Sequence, residues 1–159
     1  MQGLRSSTLA GNELARAITM LGKELAADLV GNHCPDFRVH VEGTTRDLAP
    51  ILRDETYRIA VEAVRNAFRH AQARRIEVEI LYGQRGFRLR VRDDGKGIDP
   101  NVLREGARAG HYGLPGMHER VKVVGGKLAV WSELDSGTEV EVTIPGSLAY
   151  AKTSPSKRR

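Results

Sequence analysis

The chain has 159 residues, a size suited to one domain around one core, and its 40% hydrophobic, 28% charged and 5% aromatic composition excludes a disordered or collagen-like polymer. Lys and Arg number 25 against 20 Asp and Glu, a net charge of +5, but Lys152, Lys157, Arg158 and Arg159 lie in the acid-free stretch GSLAYAKTSPSKRR, so the body is close to neutral and no nucleic-acid surface is implied. The lone Cys34 permits no internal disulfide, and neither a membrane-spanning run nor the apolar core of a signal peptide is present, so the expected location is cytoplasmic, without membrane contact by this chain.

In chain order, residues 9–29 place Leu14, Ile18, Leu21, Leu25 and Leu29 three and four apart, the pattern of an amphipathic helix. PDFRVHVEG alternates Phe37, Val39 and Val41 with Arg38, His40 and Glu42, which predicts a half-buried strand with His40 outward. A second helix is expected from Pro50 to Ala71, with Leu52, Ile59, Ala63, Ala67 and Phe68 toward the core. RIEVEILY and FRLRVRD, joined by GQRG, read as a hairpin. Residues 98–112 lack sustained periodicity and are expected to form a loop that acts as a lid. A third helix should start between Leu114 and Met117 and stop at Gly125-Gly126, and KLAVWS and TEVEVTIP then form a second hairpin. Residues 146–159 are expected to form a basic, disordered tail.

Two directly joined strand pairs exclude a regular βαβ alternation. The predicted architecture is an α/β (α+β) two-layer sandwich: a mixed, largely antiparallel five-stranded sheet with three helices on one face and charged residues such as Glu77, Arg90 and Glu141 on the other.

Three constellations bear on chemistry. Glu62, Asn66 and His70 are spaced by four on the second helix, with Arg69 beside them; the stripe suits a ligand, with Asn66 as an oxygen donor to Mg²⁺, and equally suits the solvated side of an amphipathic helix. VRDDGKGI turns on Asp93, Gly95 and Gly97, where a carboxylate beside bare backbone suits a flat base bearing an exocyclic amine, and where an ordinary turn is the other reading. GHYGLPGMHER sets Gly110, Gly113 and Gly116 before a helix, a place for a phosphate chain and a hinge. There is no P-loop and no Rossmann fingerprint.

In order and spacing, EAVRNAFRHA from Glu62, DDGKG from Asp93, GLPGM from Gly113 and SGTEVEVTIP from Ser136 resemble the successive boxes of GHKL-type ATPases. Over residues 9–145 the wording is similar to the C-terminal catalytic, ATP-binding domain of bacterial sensor histidine kinases, a Bergerat fold. The resemblance implies that Asn66 ligates Mg²⁺, that Arg69 and His70 approach the phosphates, and that Glu62 orients magnesium-bound water. It also implies that Asp93 binds the adenine N6 amine with Thr138 assisting through water, that Gly95 and Gly97 admit the base against Ile98, and that Gly113, Leu114, Gly116 and Met117 close over the phosphates. The implied activity is to position the γ-phosphate of MgATP for transfer to a histidine in two-component signalling, with Glu62 and Asn66 as the catalytic pair and a response regulator downstream.

None of His33, His40, His70, His111 or His118 has the context of a phosphoacceptor, so the acceptor is expected on a separate dimerisation region, with residues 1–8 as a remnant of its last helix and the chain itself a monomer unable to autophosphorylate alone. The parent kinase is compatible with a membrane anchor. Two alternatives stand beside this reading: a related GHKL ATPase or protein-serine kinase in which Glu62 is a general base, and a non-catalytic module using the open sheet face or the tail.

Overall fold

The computed structural model describes residues 13–29, 33–70, 72–108 and 113–152. Its elements are α1 (Glu13–Ala27), β1 (Asp36–Gly43), α2 (Pro50–His70), β2 (Arg75–Tyr82), β3 (Gly86–Asp93), α3 (Pro100–Arg108), α4 (Leu114–Val123), β4 (Lys127–Glu133), β5 (Gly137–Pro145) and α5 (Gly146–Ala149). The sheet order is β1-β2-β3-β5-β4. Only β1 and β2 run parallel, joined by the α2 crossover, while β2–β3, β3–β5 and β5–β4 are antiparallel. The expected mixed, largely antiparallel five-stranded sheet is therefore present.

Period-two alternation decides which side chains meet the helices. Ile76, Val78 and Ile80 of β2, Phe87, Leu89 and Val91 of β3, and Val140, Val142 and Ile144 of β5 are buried on one face. Leu14, Ile18 and Leu21 of α1 and Leu52, Ile59, Ala63, Val64 and Ala67 of α2 close over them. Phe37 packs on Phe68 with ring centroids 5.8 Å apart, and it lies where a Cβ on Gly22 would come within 2.2 Å of its ring, so α1 needs a glycine there to seat against β1.

The other sheet face is an ion lattice. One cross-strand row runs Arg38, Glu77, Arg92, Glu139, Trp131 and the next runs His40, Glu79, Arg90, Glu141, Ala129. Arg92 reaches Glu77 at 3.5 Å and Glu139 at 3.9 Å, Arg90 pairs with Glu79, and Arg88 lies 3.9 Å from Glu141. His40 points outward as expected, 3.6 Å from Glu77.

Two expectations need correction. Residues 100–108, read as loop, form α3: the Asp99 side chain accepts the Asn101 amide at 2.8 Å, its carbonyl accepts that of Leu103 at 2.9 Å, and Pro100 occupies the first turn. The tail does not begin at Gly146, because Ala149 and Tyr150 are buried, and the described helices number five where three were expected. Ala49 donates to the Ala149 carbonyl at 2.9 Å, Ala151 donates to that of Asp47 at 2.8 Å, and Leu48 and Tyr150 form an antiparallel bridge. The Tyr150 hydroxyl donates to the Gly83 carbonyl at 2.5 Å, with the Arg46 guanidinium 3.8 Å over its ring. Residues 1–8, the 109–112 part of the lid and residues 153–159 lie outside the described residues. Among the described residues no helix is long and apolar enough to cross a membrane.

Candidate functional site

Strand parity carries the inward face of β3 through Phe87, Leu89 and Val91 to Asp93, which puts a carboxylate at the end of an apolar row. Asp93 is only 7% exposed and sits opposite Thr138 of β5. One carboxylate oxygen accepts the Gly95 amide at 2.9 Å, and the carboxylate also takes the Thr138 amide, which leaves acceptor lone pairs beyond those two bonds. Burial pushes the Asp93 carboxyl up to about 6, against the opposing pull of amide bonds from Gly95 and Thr138. The neighbouring Asp94 has a different task, accepting the Arg74 and Arg75 amides at 2.9 Å each and anchoring the start of β2. The two acids of the DDG turn therefore divide between a pocket role and a turn role.

The loop beyond Asp93 is locked from beneath. Gly97 has φ +67, and a Cβ there would stand 1.9 Å from the Glu133 carbonyl oxygen, so no side chain fits. The Ile98 amide donates to Ser132 Oγ at 2.8 Å, and that hydroxyl is also 2.7 Å from Thr138 Oγ1. Ser132 thus joins the loop to β5, a role that sequence reasoning missed. The signal was present, because Ser132 shares inward parity with Leu128 and Val130 and is the polar member of that set.

Across from Asp93, one face of α2 presents Ala63, Asn66 and Ala67 at the i, i+3, i+4 spacing. These residues, with Val91, Asp93, Gly97, Ile98, Leu103, Leu114, Met117, Val130, Thr138 and Val140, enclose a pocket. Its walls are apolar apart from Asn66, Asp93 and Thr138. The internal volume is about 40 Å³, room for a little water and far below the several hundred Å³ of a small-molecule site, so a purine enters only if the lining opens.

Of the residues singled out from sequence, the structure brings Asn66, Asp93, Gly97, Ile98, Leu114, Met117 and Thr138 around this one space. Gly95 stands behind Asp93 as its amide donor. Glu62, one turn before Asn66, abuts the hinge: Gly113 has φ +67 at the N-cap of α4, and a Cβ on it would lie 3.0 Å from the Glu62 carboxyl carbon. Glu55 holds the other end of α4 through a 2.8 Å bond from Arg120. Arg69 is exposed, and Gly116 is exposed with nothing within 4 Å of an added Cβ, so neither lines the pocket. The His70 side chain lies outside the described residues.

The oxygen donors that α2 offers at this end are the Asn66 amide and the Glu62 carboxylate. Among the described residues there is no group of three or more His, Cys, Asp or Glu placed to hold a metal. That donor set fits Mg²⁺ arriving with phosphate oxygens, which needs only one or two protein ligands. An apolar-walled pocket ending in a buried carboxylate suits, once opened, a base that donates an exocyclic amine.

Residues 52–148 match the family described as histidine kinase-, DNA gyrase B-, and HSP90-like ATPase. The chain is 32% identical over 142 residues to the sensor histidine kinase LiaS of Bacillus subtilis, covering 89% of this chain and 37% of LiaS. It is 35% identical over 111 residues to the sensor histidine kinase YdfH of the same organism, covering 69% of this chain and 26% of YdfH. It therefore spans between about a quarter and two fifths of these relatives' length. Among solved structures, the histidine kinase domain of the Erythrobacter litoralis blue-light activated histidine kinase superposes with a TM-score of 0.68 at 23% identity, covering 87% of this chain and 61% of that one. The catalytic domain of histidine kinase ThkA superposes with a TM-score of 0.67 at 18% identity, covering 85% and 91% respectively. Both share the fold.

Proposed function

The chain belongs to the histidine kinase-, DNA gyrase B-, and HSP90-like ATPase family, and from that premise we propose that it binds ATP with Mg²⁺ and presents the γ-phosphoryl group to a histidine on a separate dimerisation region of a two-component sensor kinase. The observation that carries the reading is Asp93: a buried carboxylate at the end of an apolar pocket, held by the Gly95 and Thr138 amides and with acceptor lone pairs beyond those two bonds. Adenine donates an amine to such an acceptor, whereas guanine presents a carbonyl oxygen at the corresponding position and meets repulsion.

In this reading Thr138, held by Ser132, supports Asp93 through a water, and Gly95 and Gly97 leave the backbone bare beside the base. Ile98 packs on its face. Asn66 ligates the Mg²⁺ that accompanies the phosphates, and Glu62, one turn away, orients a water of its shell. The bound Mg²⁺ supplies charge neutralisation of the phosphate oxygens. Arg69 and His70 follow on the same end of α2 and approach the phosphates from solvent, while Gly113 hinges α4 so that Leu114, Gly116 and Met117 close over them. Catalysis then consists of positioning and electrostatics, with the acceptor histidine as nucleophile and a response regulator as the next carrier of the phosphoryl group.

Calorimetric titration with ATP and with GTP, each with and without Mg²⁺, tests the reading. Binding of ATP alone, strengthened by Mg²⁺, is expected; equal binding of both nucleotides would remove Asp93 as the selector. Transfer of label from γ-labelled ATP to a separately supplied histidine-bearing helix pair, and none to the same pair with that histidine replaced, tests the kinase step.

A further inference from the structure

The outward charges of the sheet interior are matched within the chain, but those of the β4 edge are not. Along β4 the outward residues are Lys127, Ala129, Trp131 and Glu133, and among the described residues neither Lys127 nor Glu133 has an ion partner. Trp131, the single tryptophan of the chain, is 50% exposed on this edge. β4 pairs only with β5 among the described residues, so its other side presents unpaired backbone groups.

We infer that β4 is a self-association edge, pairing antiparallel with β4 of a second copy of this chain about a two-fold axis at Val130. This register sets Lys127 opposite Glu133 of the copy at both ends, Trp131 opposite the small Ala129 of the copy on the outward face, and Val130 opposite itself on the inward face. Cations opposite anions and a large side chain opposite a small one are the pairings that favour cross-strand contact. An isologous contact needs one patch to complement itself under a two-fold rotation, and this four-residue pattern does so in one register. A shift of one residue would put outward side chains opposite inward ones.

On β1 a two-fold at His40 would likewise set Arg38 opposite Glu42 of a copy, but that edge is flanked by a basic groove. The groove beside it, formed with α1, carries Arg16 and Lys23 around Met20, Val39 and Val41 and no acid, so two copies meeting there would bring like charges together. On β4 the two sheets would instead join into one ten-stranded sheet whose outward ion lattice runs on through the Trp131 and Ala129 pairs.

A seven-residue strand pair buries less than the roughly 1,200 Å² of a stable standard interface, so the association is weak, with a Kd on the order of 100 µM. The inference is independent of the nucleotide reading. The experiment is sedimentation velocity and tryptophan emission of the full chain across about 10 µM to 1 mM, without nucleotide. The wild type is expected to pass from monomer to dimer with a shift of Trp131 emission to shorter wavelength. Lys127→Glu creates two like-charge pairs per dimer and should weaken association by at least about tenfold, and combining it with Glu133→Lys should restore the dimer. Both positions are exposed, and thermal melting of each variant in its monomeric range checks that it folds. A wild type that stays monomeric to about 1 mM, a dimer indifferent to Lys127→Glu, or a folded double variant that fails to recover would each overturn the inference.

Discussion

Asp93→Asn should make the nucleotide-free domain more stable and its ATP binding worse. Burial holds the Asp93 carboxyl at about 6 against an ordinary value of 3.8, so the fold favours the protonated form. The stability contributed by that preference is complete below pH 3.8 and is lost as pH rises to about 6; above that the charged carboxylate costs at most about 3 kcal/mol, less whatever water in the pocket screens. Asparagine has the same shape, keeps an oxygen for the Gly95 amide, gives up the Thr138 amide bond at a cost of about 1 kcal/mol, and carries no charge. Urea unfolding without nucleotide should therefore show the variant more stable than the wild type by up to about 2 kcal/mol at pH 8, with the gap closing as pH falls from 6 toward 4. With its oxygen on Gly95, the asparagine turns its NH₂ toward the adenine amine, and two donors in contact should weaken ATP binding by about 30- to 100-fold in calorimetry. A variant less stable at pH 8, or a gap that ignores pH, would refute the argument that Asp93 is a charge retained at the expense of stability for a ligand.

Asn66→Ala should abolish the strengthening of ATP binding by Mg²⁺ while leaving Mg²⁺-free affinity nearly unchanged; titration with and without EDTA reads both, and persistent Mg²⁺ dependence would remove Asn66 as a ligand. Tyr150→Phe deletes the donor to the Gly83 carbonyl and should cost about 1–2 kcal/mol in urea unfolding with ATP affinity preserved; an unchanged midpoint would mean that the hydroxyl bond contributes nothing. Amides of α3 should exchange quickly without nucleotide and slowly with ATP and Mg²⁺, because α3 contributes Leu103 to the lining that has to open for a base; protection already present without nucleotide would contradict a moving α3.

The strands and the polar end of α2 were legible because periodicity and burial agree there: Val78, Leu89 and Val142 alternate with charges, and the same parity carries Asp93 inward. α3 was passed over because it is only nine residues long, too short for a sustained period although it is amphipathic, and Val102 is itself 48% exposed. Its Asp-Pro start was the usable signal, since cap chemistry is local where packing is weak. The C-terminal segment looked polar because its two buried residues, Ala149 and Tyr150, are too few to set a period, and its contacts are mostly backbone bonds to residues about 100 positions earlier. In the site, Asp93, Asn66 and Thr138 were readable as chemistry, whereas Leu103 and Val130 are ordinary apolar side chains whose place depends on tertiary packing. Arg69 and Gly116, assigned to the phosphates by motif position, lie outside this pocket.

The bridge between Leu48 and Tyr150 also bears on synthesis. A nascent chain emerging from its N-terminus can wind α1 and α2 early, but the stretch leading into α2 stays unlatched until Tyr150 has left the ribosomal exit tunnel. Completion of this domain thus waits on its C-terminal latch, and a chain cut before Tyr150 would retain every pocket residue yet keep the entry to α2 untied.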